Sequence, residues 1–276
     1  MRVVCLVENT SRQDLGHAHG LSIYAETENH KILFDSGPDG DLLLNNAEKM
    51  GIDLEAVDIA ILSHGHYDHA GGLMAFLRKN SIAKLYIHKL AATRGHFATE
   101  KLGWRNIGLD ERIVHDYSDR IVLTGDSLRI DDELTLFSDI SSSVFISDSN
   151  SSLFEDAGGE YIPDPFHHEQ NLLISEGGSL TLLAGCAHRG IINILRRAQQ
   201  MGGRAPDVVF SGFHLTNPGL GLDLPEDFVR TVGQELCKYK SIYYTGHCTG
   251  LNPYSWLKDE LGDSLCYLSG GLDVTV

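Results

Sequence analysis

What this chain has little of already narrows its identity. No apolar stretch in its 276 residues approaches the ~20 that a bilayer span requires, so no membrane-embedded segment is expected. The opening residues Met1-Arg2-Val3-Val4-Cys5-Leu6-Val7-Glu8 turn acidic too early for a secretory signal and read as a first strand. Basic residues are scarce: 22 Lys and Arg against 38 Asp and Glu give a formal net charge of −16. Such a chain repels phosphate backbones, so nucleic acid is disfavoured as a partner. A small-molecule substrate, even an anionic one, stays compatible if bound metal offsets the charge locally. The five cysteines (Cys5, Cys186, Cys237, Cys248, Cys266) are odd in number, scattered and without a C-x-x-C pair. That pattern argues for a reducing, cytoplasmic setting over a disulfide scaffold.

Against these absences stands one dense stretch, His64-Gly65-His66-Tyr67-Asp68-His69, directly after the apolar run Ile59-Ala60-Ile61-Leu62. Burying three imidazoles and a carboxylate without partners would be costly, so something must bind them. A divalent cation is the natural candidate: neutral imidazole and carboxylate suit zinc first, and also iron or manganese. The spacing fits two ions better than one. His64 and His66 are two residues apart and point to one side of an extended segment. Asp68 and His69 follow where Gly71-Gly72 and Leu73-Met74-Ala75-Phe76-Leu77 suggest a helix start, whose N–H groups face an anionic centre. The ordinary alternative is a loop of solvated histidines, and four ligand-type residues in six positions weigh against it.

Short β-rich runs alternate with helical patterns along the whole chain, which predicts an α/β fold. Strands are expected at 2–7, 21–27, 31–35, 59–62, 84–88, 121–124 and 134–138. Residues 172–176 and 180–184 predict a hairpin around Gly177-Gly178, and further strands fall at 208–211, 242–245 and 265–268. Helices are expected at 42–50, 70–79, 191–201, 226–238 and 254–261. Length allows one large domain or two small ones; a single domain over 1–276 is expected. Two segments lack clear periodicity, 91–119 and 139–170, and both read as substrate-covering insertions. The second contains Asp164-Pro165-Phe166-His167-His168-Glu169, so Phe166 and His168 become candidate substrate contacts. A solvated surface loop is the plain alternative there.

A two-metal site needs further ligands. Gly185-Cys186-Ala187-His188-Arg189-Gly190 and Thr245-Gly246-His247-Cys248 each put a histidine at a strand end beside glycines, and Ser211-Gly212-Phe213-His214 is a third case. Any one alone would be an ordinary packed or surface histidine; three of them beside the cluster argue for convergence. Cys186 and Cys248 are candidate thiolate ligands, although small buried packing is the commoner use of such residues. Asp35, in Phe34-Asp35-Ser36-Gly37, reads either as a turn residue or as a hydrogen-bond partner of a ligand imidazole.

The motif His64-x-His66-x-Asp68-His69, with later single histidines at His188 and His247, resembles the metallo-β-lactamase superfamily, and the resemblance runs over essentially the whole chain. Within it, the stretches His19-Gly20-Leu21-Ser22, Ser63 through Leu73, Gly185-Cys186-Ala187-His188-Arg189-Gly190-Ile191-Ile192-Asn193 and Gly212-Phe213-His214-Leu215 are similar to the branch of 7,8-dihydropterin-6-methyl-4-(β-D-ribofuranosyl)aminobenzene 5′-phosphate synthases. The resemblance implies a four-layer αββα sandwich. It implies one ion on His64, His66 and His188, and another on Asp68, His69 and His247. One departure matters: the superfamily usually carries a bridging Asp after the strand at 208–211, where this chain has Gly212-Phe213-His214. His214 is the candidate to take over as ligand or proton donor.

With metal bound, Asp68 is expected to orient the attacking water and take its proton. His214 would serve the leaving group, and Arg189 an anionic substrate group. The expected activity is hydrolysis of a small ester, phosphoester or lactone. The alternative implied by the branch is a pterin transferase, for which Phe166, Trp104 and Tyr67 are candidate walls of an aromatic slot. A non-enzymatic metal sensor and a di-iron oxidoreductase are weaker readings, the latter because such enzymes normally carry Glu where His66 stands.

Overall fold

The computed structural model describes residues 1–12, 14–100, 103–217 and 219–276, which group into two compact units. The first comprises Met1–His96, Ile107–Gly125 and Leu268–Val276. Its seven-stranded sheet runs in the order Asp273–Thr275, Arg2–Val7, Ser22–Glu26, Lys31–Phe34, Ile59–Leu62, Lys84–His88 and Ile121–Thr124. Pairing is antiparallel as far as Lys31–Phe34 and parallel beyond it. Ile59–Leu62 is buried at every position, which is why it reads as an unbroken apolar run and not as an alternation. The helices Gly40–Lys49 and Leu73–Lys79 press Leu43, Ala47, Phe76 and Leu77 onto Leu33, Ala60 and Leu62. Asp39 caps the first of them by accepting from Leu42 N at 2.9 Å.

The helix expected over 70–79 is two helices, Tyr67–Ala70 and Leu73–Lys79, parted at Gly71-Gly72. A Cβ at Gly71 would lie 2.0 Å from the Pro38 carbonyl oxygen, and one at Gly72 2.3 Å from that of Ser36. The two glycines therefore let the loop after Lys31–Phe34 run against the backbone of the histidine turn.

The second unit comprises Phe97–Asn106 and Asp126–Tyr267. Its seven-stranded sheet has the order Leu265–Tyr267, Ile242–Thr245, Val208–Phe210, Ser179–Leu183, Asn171–Glu176, Leu134–Phe137 and Ser127–Arg129. The expected hairpin is present, with Gly177 and Gly178 both at positive φ (57° and 84°), as a two-residue turn of the primed type demands. Ile191–Gly202, Glu226–Cys237 and Leu251–Leu261 are helices, and Ile191, Ile192, Leu195 and Ala198 form the buried stripe of the first. The third starts earlier than expected because Pro253 sits in its first turn, where no N–H is needed.

The segments that looked aperiodic hold short strands. Tyr161–Pro163, Leu153–Asp156, His96–Glu100 and Gly103–Asn106 form a four-stranded sheet in that order. On it Trp104 packs against Phe154 and Tyr161 at centroid distances of 4.8 and 5.2 Å.

Candidate metal centre

In the first unit, the strand Ile59–Leu62 delivers Ser63 and His64 at its end, His66 stands just before the helix Tyr67–Ala70, and Asp68 and His69 lie inside it. All four predicted ligands are buried. A hydrogen-bond chain fixes which ring nitrogen each histidine offers. Ser63 Oγ donates to Asp35 Oδ2 at 2.7 Å and lies 2.8 Å from His64 Nδ1. A hydroxyl has one proton, so in the second contact His64 Nδ1–H is the donor and Nε2 carries the lone pair. That Nε2 lies 3.1 Å from His66 Nδ1. Adjacent nitrogens around a tetrahedral ion at about 2.0–2.1 Å stand roughly 3.3 Å apart. The pair is therefore spaced to hold a divalent cation, and the donor set fits the metal implied by the motif.

His69 Nδ1 donates to Asp35 Oδ2 at 2.6 Å, which turns its Nε2 toward Asp68 Oδ2, 3.9 Å away. Asp35 has a φ of 58° and also accepts from Ser63 N at 2.7 Å. It is thus both a strained turn residue and the orienting partner of a candidate ligand, the two roles that the sequence left open. Asp68 Oδ2 stands 3.3 Å from His19 Nε2.

In the second unit, His188 follows Ser179–Leu183, His214 follows Val208–Phe210, and His247 follows Ile242–Thr245; all three are buried. The His188 and His214 rings lie 4.1 Å apart. The donor atoms of Cys186, His188 and His214 lie within 4.8 Å of one another, as do those of Cys186, His247 and Cys248. His188 Nδ1 meets Asn150 Oδ1 at 2.9 Å, and its ring is stacked on Phe166 at 4.2 Å and 6°. Phe166 thus packs on a candidate ligand, and His168 is likewise buried, at 3.0 Å from Asp164 Oδ2. Arg189 donates through Nη1 to Pro165 O at 2.7 Å and through Nη2 to Ile140 O at 2.6 Å. Its guanidinium holds the 140–165 segment in place.

Glu169, fully buried, accepts from the backbone N–H groups of His188 and Arg189 at 2.7 and 2.9 Å. Burial pushes its carboxyl up to about 7, although those N–H groups pull the other way. For Cys248, burial alone would raise the thiol, but Cys186 and the His214 side chain and N–H bring it below its ordinary value.

Seven non-glycine residues have positive φ among the described residues: Asp35, Phe145, Phe166, Ala187, His214, Lys240 and His247. Five of them are candidate ligands or their immediate supports. Strain of this kind persists where the surroundings over-determine it, as they do at functional sites.

Three supports escaped sequence reasoning. Asn150 lies in an aperiodic segment, and nothing local signals its bond to His188. His96 is fully buried, and a Cβ at Gly65 would fall 2.5 Å from its imidazole. The only signal was a glycine between two histidines. Glu169 stood next to His168 in the sequence without a visible partner.

The sequence profile of the metallo-β-lactamase superfamily matches residues 15–224. The chain belongs to this superfamily. It is 28% identical over 268 residues to the 7,8-dihydropterin-6-methyl-4-(β-D-ribofuranosyl)-aminobenzene-5′-phosphate synthase of Methanocaldococcus jannaschii, covering 92% of this chain and 88% of that protein. It is 30% identical over 217 residues to an uncharacterised protein of the same archaeon, covering 76% and 78%. A crystal structure described as a metal-dependent hydrolase of the β-lactamase superfamily superposes with a TM-score of 0.80 at 25% identity, over 100% of this chain and 99% of that one. The α/β, metallo-β-lactamase-like fold expected from the histidine motif is thereby shown. Members of the superfamily are in general metal-dependent enzymes. No helix among the described residues is long and apolar enough to cross a membrane.

Proposed function

We propose that this metallo-β-lactamase superfamily member is a metal-dependent hydrolase of a small, anionic ester or phosphoester. The observation that carries the proposal is the 3.1 Å approach of His64 Nε2 and His66 Nδ1, with the tautomer of His64 set by Ser63 and Asp35. His64, His66 and His188 would hold one divalent ion, and Asp68, His69 and His247 a second. Zinc is proposed first, iron or manganese being the alternatives. Bound there, the metal supplies Lewis acidity and acidifies water at neutral pH.

The remaining work falls to the chain. Asp68 orients the nucleophile and takes its proton, with His19 at 3.3 Å as a neighbour able to share that proton. Ser63, Asp35, Asn150 and Phe166 hold the imidazoles in one orientation, and Glu169 holds the backbone at His188 and Arg189. His214 donates to the leaving oxygen. In support, neither of its ring nitrogens has a hydrogen-bond partner among the described residues, and the side chain is buried. Arg189 and His168 shape the substrate side by fixing the segment that carries Phe166.

A second reading, transfer of a dihydropterin-6-ylmethyl group from its pyrophosphate ester to the nitrogen of an arylamine ribotide with release of pyrophosphate, is favoured by the 28% identity to the archaeal synthase along nearly the whole chain. Metal-loaded protein offered a panel of phosphoesters in one assay, and dihydropterin pyrophosphate with the arylamine in another, separates the two. Hydrolysis without C–N bond formation supports the first reading. Condensed product replaces it with the second. Full metal loading with neither product removes both.

A further inference from the structure

Two cysteines of the second unit stand among its candidate ligands, and neither has a role in the mechanism above. Cys186 and Cys248 are both buried, at 3% and 2% exposure, and neither is in a disulfide. Their sulfurs and one His247 nitrogen lie within 4.8 Å of one another. Cys186 also belongs to the group formed with His188 and His214. The backbone passes close to the Cys248 sulfur: a Cβ at Gly212 would lie 2.4 Å from it, so a side chain there would have to displace it. The His214 N–H donates to that sulfur at 3.3 Å, a bond that favours an anionic acceptor. A second observation is the His214 side chain, which lies beside Cys186 and is 95% buried with neither ring nitrogen hydrogen-bonded to a described residue. Ala187, His214 and His247, which surround the pair, all hold positive φ.

We propose that Cys186 and Cys248 are thiolate ligands of a divalent ion, with His247 as the third donor. The inference rests on the reading that His247 binds metal, and it puts the two thiolates in place of Asp68 and His69 as that histidine's co-ligands. Each thiol gives up its proton to solvent as its sulfur binds the ion, and the two anionic sulfurs balance the ion's two charges in a buried place. Zn–S bonds of about 2.3 Å and Zn–N bonds of about 2.0–2.1 Å require donors roughly 3.4–3.8 Å apart, a spacing open to three donors that lie within 4.8 Å of one another. Three protein donors leave a tetrahedral ion one open position, the arrangement of catalytic sites rather than structural ones. Soft sulfur donors also select zinc or iron over manganese and magnesium.

The test uses the full chain, purified under reducing conditions and loaded with Co2+ or Zn2+. Expected are a sulfur-to-cobalt charge-transfer band in the near ultraviolet and, by X-ray absorption at the zinc edge, sulfur scatterers at about 2.3 Å. Cys248→Ser and Cys186→Ser should each weaken the band and remove one sulfur scatterer, while Cys266→Ser leaves both unchanged. If a cysteine variant fails to fold, the wild-type spectra decide. Full metal stoichiometry with only nitrogen and oxygen neighbours ends this inference and leaves the proposed hydrolase standing. Failure of the wild-type chain to take up any metal ends the proposed function, and this inference with it.

Discussion

Asp35 accepts the Nδ1 proton of His69 at 2.6 Å, and both side chains are completely buried. The same carboxylate holds Ser63 by backbone and hydroxyl, and Ser63 in turn sets His64. One acid thus orients two candidate ligands. Asp35→Asn keeps the shape and tolerates the positive φ, but puts an amide N–H against one of its donors. The expected result is a loss of metal affinity of about 10- to 100-fold, measured by competition with a chelator, with the circular dichroism spectrum retained. Unchanged affinity would show that His69 does not need this orientation.

His66→Ala removes one of the two nitrogens that lie 3.1 Å apart. Bound metal and turnover are both expected to be lost, while the fold persists, because His66 lies outside the apolar cluster that holds the first unit together. Elemental analysis and a thermal melt check the two halves of that statement. Retained activity would contradict the proposed mechanism.

The histidine turn was legible because its chemistry is local: the ligands lie within six residues, after a strand whose apolar run is visible. The hairpin at Gly177-Gly178 and the helix over 191–201 were legible for the same reason, since turn chemistry and a single apolar stripe are written in neighbouring residues. The break at Gly71-Gly72 was not, because its cause is the backbone of Pro38 and Ser36, more than thirty residues away. The strands in 91–119 and 139–170 run to only three to five residues, too short for alternation to stand out. Asn150 could not be found at all, because its partner His188 is 38 positions on.

Glu169 gives a pH dependence with a definite sign. Its carboxyl is raised by burial from 4.5 to about 7, so the folded apoprotein holds this proton more tightly than the unfolded chain does. The associated stability is fully present below pH 4.5 and is lost as pH rises through 7. At about 1.4 kcal/mol per pH unit the loss is on the order of 3 kcal/mol. Glu169→Gln also weakens the hold on the His188 and Arg189 N–H groups, so the variant is less stable throughout. The slope carries the test: urea unfolding of apoprotein between pH 4.5 and 7 should decline more steeply for the wild type. Parallel profiles would assign the pH dependence to other groups.

The contact between Gly212 and Cys248 can be tested without any metal. A methyl group at Gly212 would meet the sulfur at 2.4 Å, while its next neighbours, Gly185 O and Cys186 Cα, stand at 3.3 and 3.5 Å. The sulfur is therefore the main obstacle. Gly212→Ala is expected to cost about 1–3 kcal/mol as an overpacked core substitution. In a Cys248→Ala background the same change should cost much less, because the removed sulfur vacates the space. A double-mutant cycle in denaturant should then give a coupling of about 1–2 kcal/mol, within the range for residues in contact. Additive effects would mean that the backbone shifts to admit the methyl group, and that Gly212 is not shaped around this sulfur.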